Sequence, residues 1–228
     1  MTLIHNSNLY VAKGGQFISV FDLGLSNLLK STRIGTGKGT PDISPTAFLV
    51  DKCNKIYLSG WGSNLGGPLS TLNLPVTDSA FQTITDGNDF YLAVYNEQID
   101  SLEYATYFGG SQSTEHVDGG TSRFDKNGVV YQSVCAGCGG NNDFPIYPNP
   151  GAVSTTNNSP NCNNAVFKFD FKRPILTAEF SAPIISCTTS VSFINNTSFP
   201  NSTGINYFWD FGDGASSSQT NPTHQYQN

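Results

Sequence analysis

The sequence predicts an all-β protein made of two units in series, and three observations support this prediction. Only 12% of the 228 residues are charged, whereas glycine, aromatic and small polar residues are abundant, a composition typical of turn-rich β proteins. The apolar residues fall in short alternating runs separated by Gly, Asn and Asp. Finally, the N-terminal part of the chain repeats itself, and a different pattern follows the repeat.

The repeat has a period of 74 residues. Residues 17–22 (FISVFD) align with residues 91–96 (YLAVYN), and these align in turn with residues 165–170 (AVFKFD), without any gap. Alternation of apolar residues predicts four strands within one period, near residues 56–61, 90–96, 102–108 and 118–125.

The predicted strands of one period form a unit of a recognisable kind. The Asn-Gly pair in residues 125–128 (DKNG) predicts a tight hairpin with positive φ at both central residues. Four antiparallel strands joined by hairpins describe one blade of a β-propeller. Long loops at residues 62–88 and 135–162 extend the period beyond the usual length of about 40 to 50 residues. Because closure requires about 4 to 8 blades, residues 1–172 are predicted to be a partial propeller.

Several motifs in this region resemble the bacterial β-propeller repeat (SBBP). They are residues 104–111 (YATYFGGS), 125–131 (DKNGVVY), 143–145 (DFP) and 150–152 (PGA), in this order. The resemblance covers about residues 1–172 and implies four-stranded propeller blades. The chain departs from the repeat pattern at 135–138 (CAGC), where the family has small and polar residues.

A second pattern begins after a predicted linker at residues 173–176. The stretch 209–214 (WDFGDG), followed by 222–226 (PTHQY), is similar to the PKD domain, an Ig-like β-sandwich. The resemblance implies a core tryptophan, a Gly-Asp-Gly hairpin turn and a following strand, and so gives structural roles to Trp209, Asp210, Gly212, Asp213, Gly214, His224 and Tyr226. We expect residues 177–228 to be an incomplete sandwich, truncated at its C-terminal end, with an exposed apolar edge.

The five cysteines suggest a bridge at the base of a long loop. Cys135 and Cys138 open the loop and Cys162 closes it, so either Cys135 or Cys138 is predicted to pair with Cys162. A zinc site is the disfavoured alternative, because the sequence has no second Cys-x-x-Cys pair and no histidine at ligand spacing.

The other residues that could bind a ligand or act in catalysis are interpreted as structural residues. Asp210 and Asp213 are calcium candidates, but two carboxylates are too few for this cation, and we expect no metal and no other cofactor. Trp209 is predicted to lie in the core rather than to form a platform for sugars. The histidines, His5, His116 and His224, lie in no catalytic motif, so no catalytic residue is predicted.

These patterns predict a non-enzymatic, multidomain protein of the cell surface or extracellular space. The net charge of −6 disfavours nucleic acid as a partner, no apolar run is long enough for a membrane helix, and a signal peptide is expected upstream of this fragment. The combination of domains resembles gliding-motility-associated surface proteins of Bacteroidetes, exported by type IX secretion. An extracellular protein or glycan is the expected ligand, bound by the long loops. The alternatives are an accessory region of a secreted protease or polysaccharide-degrading enzyme, and a calcium-stabilised structural module.

Overall fold

The computed structural model describes residues 2–5, 8–13, 16–118, 122–171, 178–197 and 206–227, with side chains described from Gln16 onward. The chain divides into two compact units, Met1–Phe171 and Lys172–Asn228. The regular elements of the described residues are β-strands and one 3₁₀ turn, Asn64–Gly66, which confirms the all-β class. No helix in these ranges has the length and apolarity needed to traverse a bilayer. The predicted linker, 173–176, lies outside the described residues.

Within its described residues the first unit contains three four-stranded antiparallel sheets. Sheet 1 consists of β1 (Thr2–His5), β2 (Asn8–Lys13), β3 (Phe17–Asp22) and β4 (Leu28–Arg33). Sheet 2 consists of β5 (Ser44–Val50), β6 (Ile56–Trp61), β7 (Phe90–Tyr95) and β8 (Leu102–Phe108). Sheet 3 consists of β9 (Thr114–His116), β10 (Ser122–Phe124), β11 (Val130–Cys138) and β12 (Asn163–Phe169). In sheets 1 and 2 each strand pairs with the next one along the chain, which is the pattern of a β-meander.

The predicted strands occur in the structure, but they are grouped differently from the sequence period. The runs near 56–61, 90–96 and 102–108 correspond to β6, β7 and β8, and β5 completes their sheet. The fourth predicted run, 118–125, instead contributes β10 to sheet 3. A short turn joins β10 to β11, and strands joined by so short a turn pair with each other.

β7, an inner strand of sheet 2, is buried along its whole length. Its alternate side chains point to opposite faces of the sheet, and each face packs against a core. On β7, Tyr91, Ala93 and Tyr95 belong to one core cluster, which also contains Ile18 and Val20 of sheet 1. The alternate residues of β7, Phe90, Leu92 and Val94, belong to a second cluster, with Val130 and Phe167 of sheet 3. A strand covered on both faces reads as a continuous apolar run, as FYLAVY does.

The turn between β10 and β11 differs from the predicted form. Gly128 has a φ of 82°, but Asn127 is not among the residues with positive φ, so the expectation of positive φ at both central residues was wrong. The Asp125 carboxylate accepts the N–H groups of Asn127 (2.8 Å) and Val129 (3.0 Å). These bonds stabilise a longer turn with one left-handed residue at its end, a common alternative hairpin. One repeat earlier, Asp51 makes the same bonds and Asn54, with a φ of 59°, takes the place of Gly128.

The described part of the second unit consists of short antiparallel strand pairs. Its strands are β13 (Phe180–Ser181), β14 (Ser190–Ser192), β15 (Ile194–Asn195), β16 (Trp209–Asp210), β17 (Ser216–Ser217) and β18 (Thr223–Gln225). β13 pairs with β15, β14 with β18, and β16 with β17. Large apolar side chains are exposed here, including Ile184, Ile185 and Phe208.

Candidate functional site

Loop 139–162, which connects β11 to β12, is tied at its base by a disulfide. The bridge joins Cys138, the last residue of β11, to Cys162, which directly precedes β12. The other candidate, Cys135, is a half-buried free thiol. Burial, together with the charge of the neighbouring Asp118 carboxylate, raises the pKa of Cys135, so this thiol is protonated at neutral pH.

One asparagine organises the interior of the same loop. The side-chain amide of Asn157 donates to the carbonyl oxygens of Gly137 (3.0 Å), Asn141 (3.0 Å) and Asn161 (3.1 Å). Its backbone N–H also donates to Asn142 Oδ1, at 2.6 Å. These bonds link the end of β11 to both ends of the loop, so Asn157 and the disulfide both constrain the base of the loop.

A groove of about 730 Å³ opens between this loop and β12. Aromatic rings lie along it: the Phe108 centroid is 5.4 Å from that of Phe144 and 4.6 Å from that of Phe167. Apolar side chains at its rim face solvent, since Tyr147 is 92% exposed and Val166 is 75% exposed. We refer to this feature as the β12 groove.

The β12 groove follows the edge of sheet 3 that no strand of the described residues covers. The residues of β12, Asn163–Phe169, all line it. β12 pairs with β11 on one side, and no described strand pairs with its other side. The equivalent strands of the other two sheets, β3 and β7, are covered on this side by β4 and β8.

The carboxyl groups of Asp89, Glu115 and Asp143 lie close to Gly109 and Gly110. A Cβ atom on Gly109 would lie 2.0 Å from Asp89 Oδ1 and 2.7 Å from Glu115 Oε2, so this approach requires glycine. Asp143 Oδ2 accepts backbone N–H groups from the adjoining segment, including that of Gln112 at 2.7 Å. Within the described ranges, the Oδ1 atoms of Asp89 and Asp143 are buried and have no hydrogen-bond partner.

The pKa is raised for two of these carboxyl groups and lowered for the third. Burial is the main cause that raises the pKa of Asp89 to about 7 and that of Glu115 to about 7, and each is raised further by nearby carboxylates. Burial acts in the same direction on Asp143, but hydrogen bonds from Ser113 and the neighbouring backbone outweigh it and lower that pKa. Asp89 and Glu115 are therefore largely protonated below neutral pH.

In the second unit, Trp209 packs among aromatic rings. Its ring centroid lies 5.5 Å from that of Phe180 and 5.8 Å from that of Phe193, and its Nε1–H donates to Gln219 O at 2.8 Å. The indole thus has both an apolar environment and a partner for its polar atom, as a packed tryptophan requires.

The two calcium candidates take part in turn and strand contacts. Asp210 Oδ1 accepts the N–H of Gly212 at 2.9 Å, and Gly212 and Gly214 have φ values of 83° and 91°. Asp213 Oδ2 lies 2.7 Å from His224 Nε2, and this hydrogen bond is the main cause of the lowered pKa of Asp213. Among the described residues neither aspartate belongs to a group of three potential metal ligands.

The rest of the WDFGDG region connects the turn to β18. The His224 ring stacks on Phe211 with centroids 4.2 Å apart, and the Tyr226 hydroxyl donates to Phe211 O at 3.2 Å. Among the residues singled out in the sequence, His224 thus contacts Asp213 and also Tyr226, whose ring centroid lies 4.5 Å from that of His224.

Comparison with known proteins identifies the second unit. Residues 171–228 match the PKD domain family, a range that begins six residues before the predicted start at Thr177. None of the curated proteins compared matches the chain. PKD domains have an Ig-like fold and are typical of extracellular adhesion or binding modules. The chain carries a PKD domain at residues 171–228.

Proposed function

We propose that the chain belongs to a non-enzymatic protein of the cell surface or extracellular space, and that the β12 groove binds an extracellular protein ligand. The observation that carries this proposal is an apolar groove, about 730 Å³ in volume, beside a loop that a disulfide holds in place. Binding sites commonly lie on loops supported by a rigid scaffold.

The scaffold is, in this proposal, part of a β-propeller. Three successive four-stranded meander-like sheets support it, because propeller blades have this form. Neighbouring sheets also contact each other: β5 of sheet 2 contacts β1 of sheet 1 and β10 of sheet 3. Contacts between strands of successive sheets are expected where blades are arranged around an axis.

The lining of the groove favours a protein over a glycan. Tyr147, Val153 and Val166 present exposed apolar surface at the rim, and such surface on a folded domain marks protein contacts. The edge of β12 that no described strand covers also offers backbone donors and acceptors to an extended segment, which is a common way of binding a peptide strand.

The wider biological context is also a proposal. The repeat motifs and the PKD domain together support a bacterial surface protein of the gliding-motility-associated type, exported by type IX secretion. The full open reading frame tests this: further repeats, further PKD domains and a C-terminal sorting domain support it, whereas a hydrolase signature would favour the accessory-region alternative.

Binding measurements on variants test the groove. The intact chain would be screened against immobilised extracellular matrix and cell-surface proteins and against a glycan array, and affinities then measured by interferometry. Tyr147→Ala combined with Val166→Asp should weaken binding to the selected protein by roughly tenfold or more. The double variant lacks the aromatic side chain of Tyr147 and places a negative charge on an apolar surface.

The matched control is Ile84→Ala, because Ile84 is 81% exposed on the other long loop and lies outside the groove. This variant should bind with unchanged affinity. Equal binding by the wild type and the groove variant, or binding to glycans alone, would contradict the proposal.

A further inference from the structure

Strand pairing brings a histidine to the Cys-x-x-Cys segment. β9 pairs with β11 so that His116 lies opposite Cys135, and the register shifts between Cys135 and Cys138. His116 Nε2 lies 3.2 Å from Asp118 Oδ2, and Cys135 Sγ lies 3.6 Å from the same oxygen. One potential ligand atom from each of the three residues lies within 4.8 Å of the others. This juxtaposition is not visible in the spacing of the sequence.

One of the three side chains, His116, packs against the protein, whereas Asp118 faces solvent. The His116 side chain is only 13% exposed, whereas that of Asp118 is 77% exposed. The Trp61 ring lies against the imidazole, with centroids 5.9 Å apart. The neighbouring disulfide engages Cys138, so Cys135 is the thiol of this segment that remains available as a ligand.

The donor set matches the preferences of zinc. Thiolate sulfur, imidazole nitrogen and carboxylate oxygen are its usual protein ligands, and three of them leave the fourth tetrahedral position for water. Calcium prefers an all-oxygen shell, so the sulfur and nitrogen atoms disfavour it. We propose that His116, Asp118 and Cys135 form a site for one zinc ion, with water as the fourth ligand.

Binding involves no change of oxidation state. The Cys135 S–H bond breaks, an S–Zn bond forms, and the proton passes to solvent. The exposed Asp118 supplies the negative charge that attracts the cation, and the half-buried His116 supplies an imidazole nitrogen. The disulfide Cys138–Cys162 is unchanged in this step.

Cobalt(II) is a spectroscopic probe for this site. The disulfide-intact chain, titrated with Co²⁺ without reductant, should develop a thiolate-to-metal charge-transfer band at one equivalent, and Zn²⁺ should remove it. Cys135→Ser should abolish the band, and His116→Ala should weaken binding by roughly tenfold or more. The controls are Cys53→Ser and Cys187→Ser, because both thiols are free and exposed; they should leave the band unchanged.

Alkylation of the wild-type chain provides a test that needs no variant. Zn²⁺ should protect Cys135 from iodoacetamide, while Cys53 and Cys187 react equally with and without the metal, as peptide mass mapping can measure. Absence of both the charge-transfer band and the protection would overturn the proposal. So would a mapped Cys135–Cys162 bridge, because Cys135 would then not be a ligand.

Discussion

Two long loops occupy equivalent positions in successive repeats, but different interactions close them. Loop 62–89 joins β6 to β7, and loop 139–162 joins β11 to β12. Cys138 and Cys162 of the second loop correspond, 74 residues earlier, to Asn64 and Asn88. Asn64 N–H donates to Asn88 Oδ1 at 3.3 Å, so a single hydrogen bond stands where the later repeat has a disulfide.

The first loop compensates by packing against its own sheet. Leu74 is 3% exposed and belongs to the core. The Tyr91 hydroxyl donates to Pro75 O at 2.6 Å, and the Tyr107 hydroxyl donates to Leu74 O. The second loop instead exposes Tyr147 and Val153 almost completely. The exposed side chains of the second loop are available for a partner.

The residues at the junction of each loop with the following strand also differ. Asp89, the last residue of the first loop, is fully buried, whereas its equivalent, Asn163, is exposed and is the first residue of β12. The first loop therefore joins its strand through a buried carboxyl group, and the second joins its strand through an exposed amide beside a disulfide. The first loop thus contributes a side chain to the core, Leu74, whereas a disulfide closes the base of the second loop.

The largest effect should come from the buried carboxyl groups beside the first loop. Asp89 and Glu115 have folded-state pKa values raised to about 7. Their contribution to the free energy of unfolding is therefore fully present below about pH 4 and is lost as the pH rises to 7. A single shift of this size corresponds to about 4 kcal/mol. The free energy of unfolding, measured by urea denaturation across this range, should therefore fall more steeply in the wild type than in Asp89→Asn/Glu115→Gln.

Glu97→Gln is the control for this experiment, because Glu97 is exposed. It should follow the wild-type pH profile. A double variant with the same pH slope as the wild type would show that the two carboxyl groups do not titrate differently in the folded and unfolded chains.

The next effect should come from removing the disulfide of the second loop. Because the bridge spans 24 residues, Cys138→Ala/Cys162→Ala should lower the free energy of unfolding by about 3 kcal/mol. Amide exchange should also become faster in loop 139–162 and remain unchanged in loop 62–89. The control variant Cys53→Ala/Cys187→Ala removes exposed thiols and should alter neither measurement. Faster exchange in both loops of the disulfide variant would contradict the prediction that the bridge constrains only the second loop.

The smallest effect should come from the hydrogen bond that replaces the disulfide in the first loop. Asn88→Ala removes the acceptor of the Asn64 N–H, and a bond of this kind contributes about 1 kcal/mol. Chemical denaturation should detect a loss of this size or less. A loss as large as that caused by removing the disulfide would show that the first loop depends on its base rather than on its packing.

Much of the fold could be predicted from local patterns. Short apolar runs located β6, β7 and β8, because a strand buried on both faces is apolar at almost every position. The WDFGDG motif located the PKD domain. The sheet assignment of residues 118–125 could not be read from the period, because a repeat has no intrinsic starting point, and the form of the turn at 125–128 depended on the Asp125 carboxylate.

The candidate sites were less accessible to sequence reasoning. The cysteine pairing depended on strand register: Cys135 lies opposite Asn164 and Ala136 opposite Asn163, so Cys138 lies beyond the last pair, where Cys162 can reach it. The proximity of His116 to Cys135 depends on a second pairing, with a shifted register. A spacing rule for metal ligands had excluded this histidine.

The sequence by itself determined the all-β class, the repeat, most strand positions and the PKD domain, because each depends on residues that are close together along the chain. Only the tertiary structure decided which cysteine forms the bridge, which carboxyl groups are buried, and which side chains line the β12 groove. These features depend on contacts between residues far apart in sequence. A shift of one residue in strand register would change every such contact, since it turns each side chain to the opposite face of the sheet.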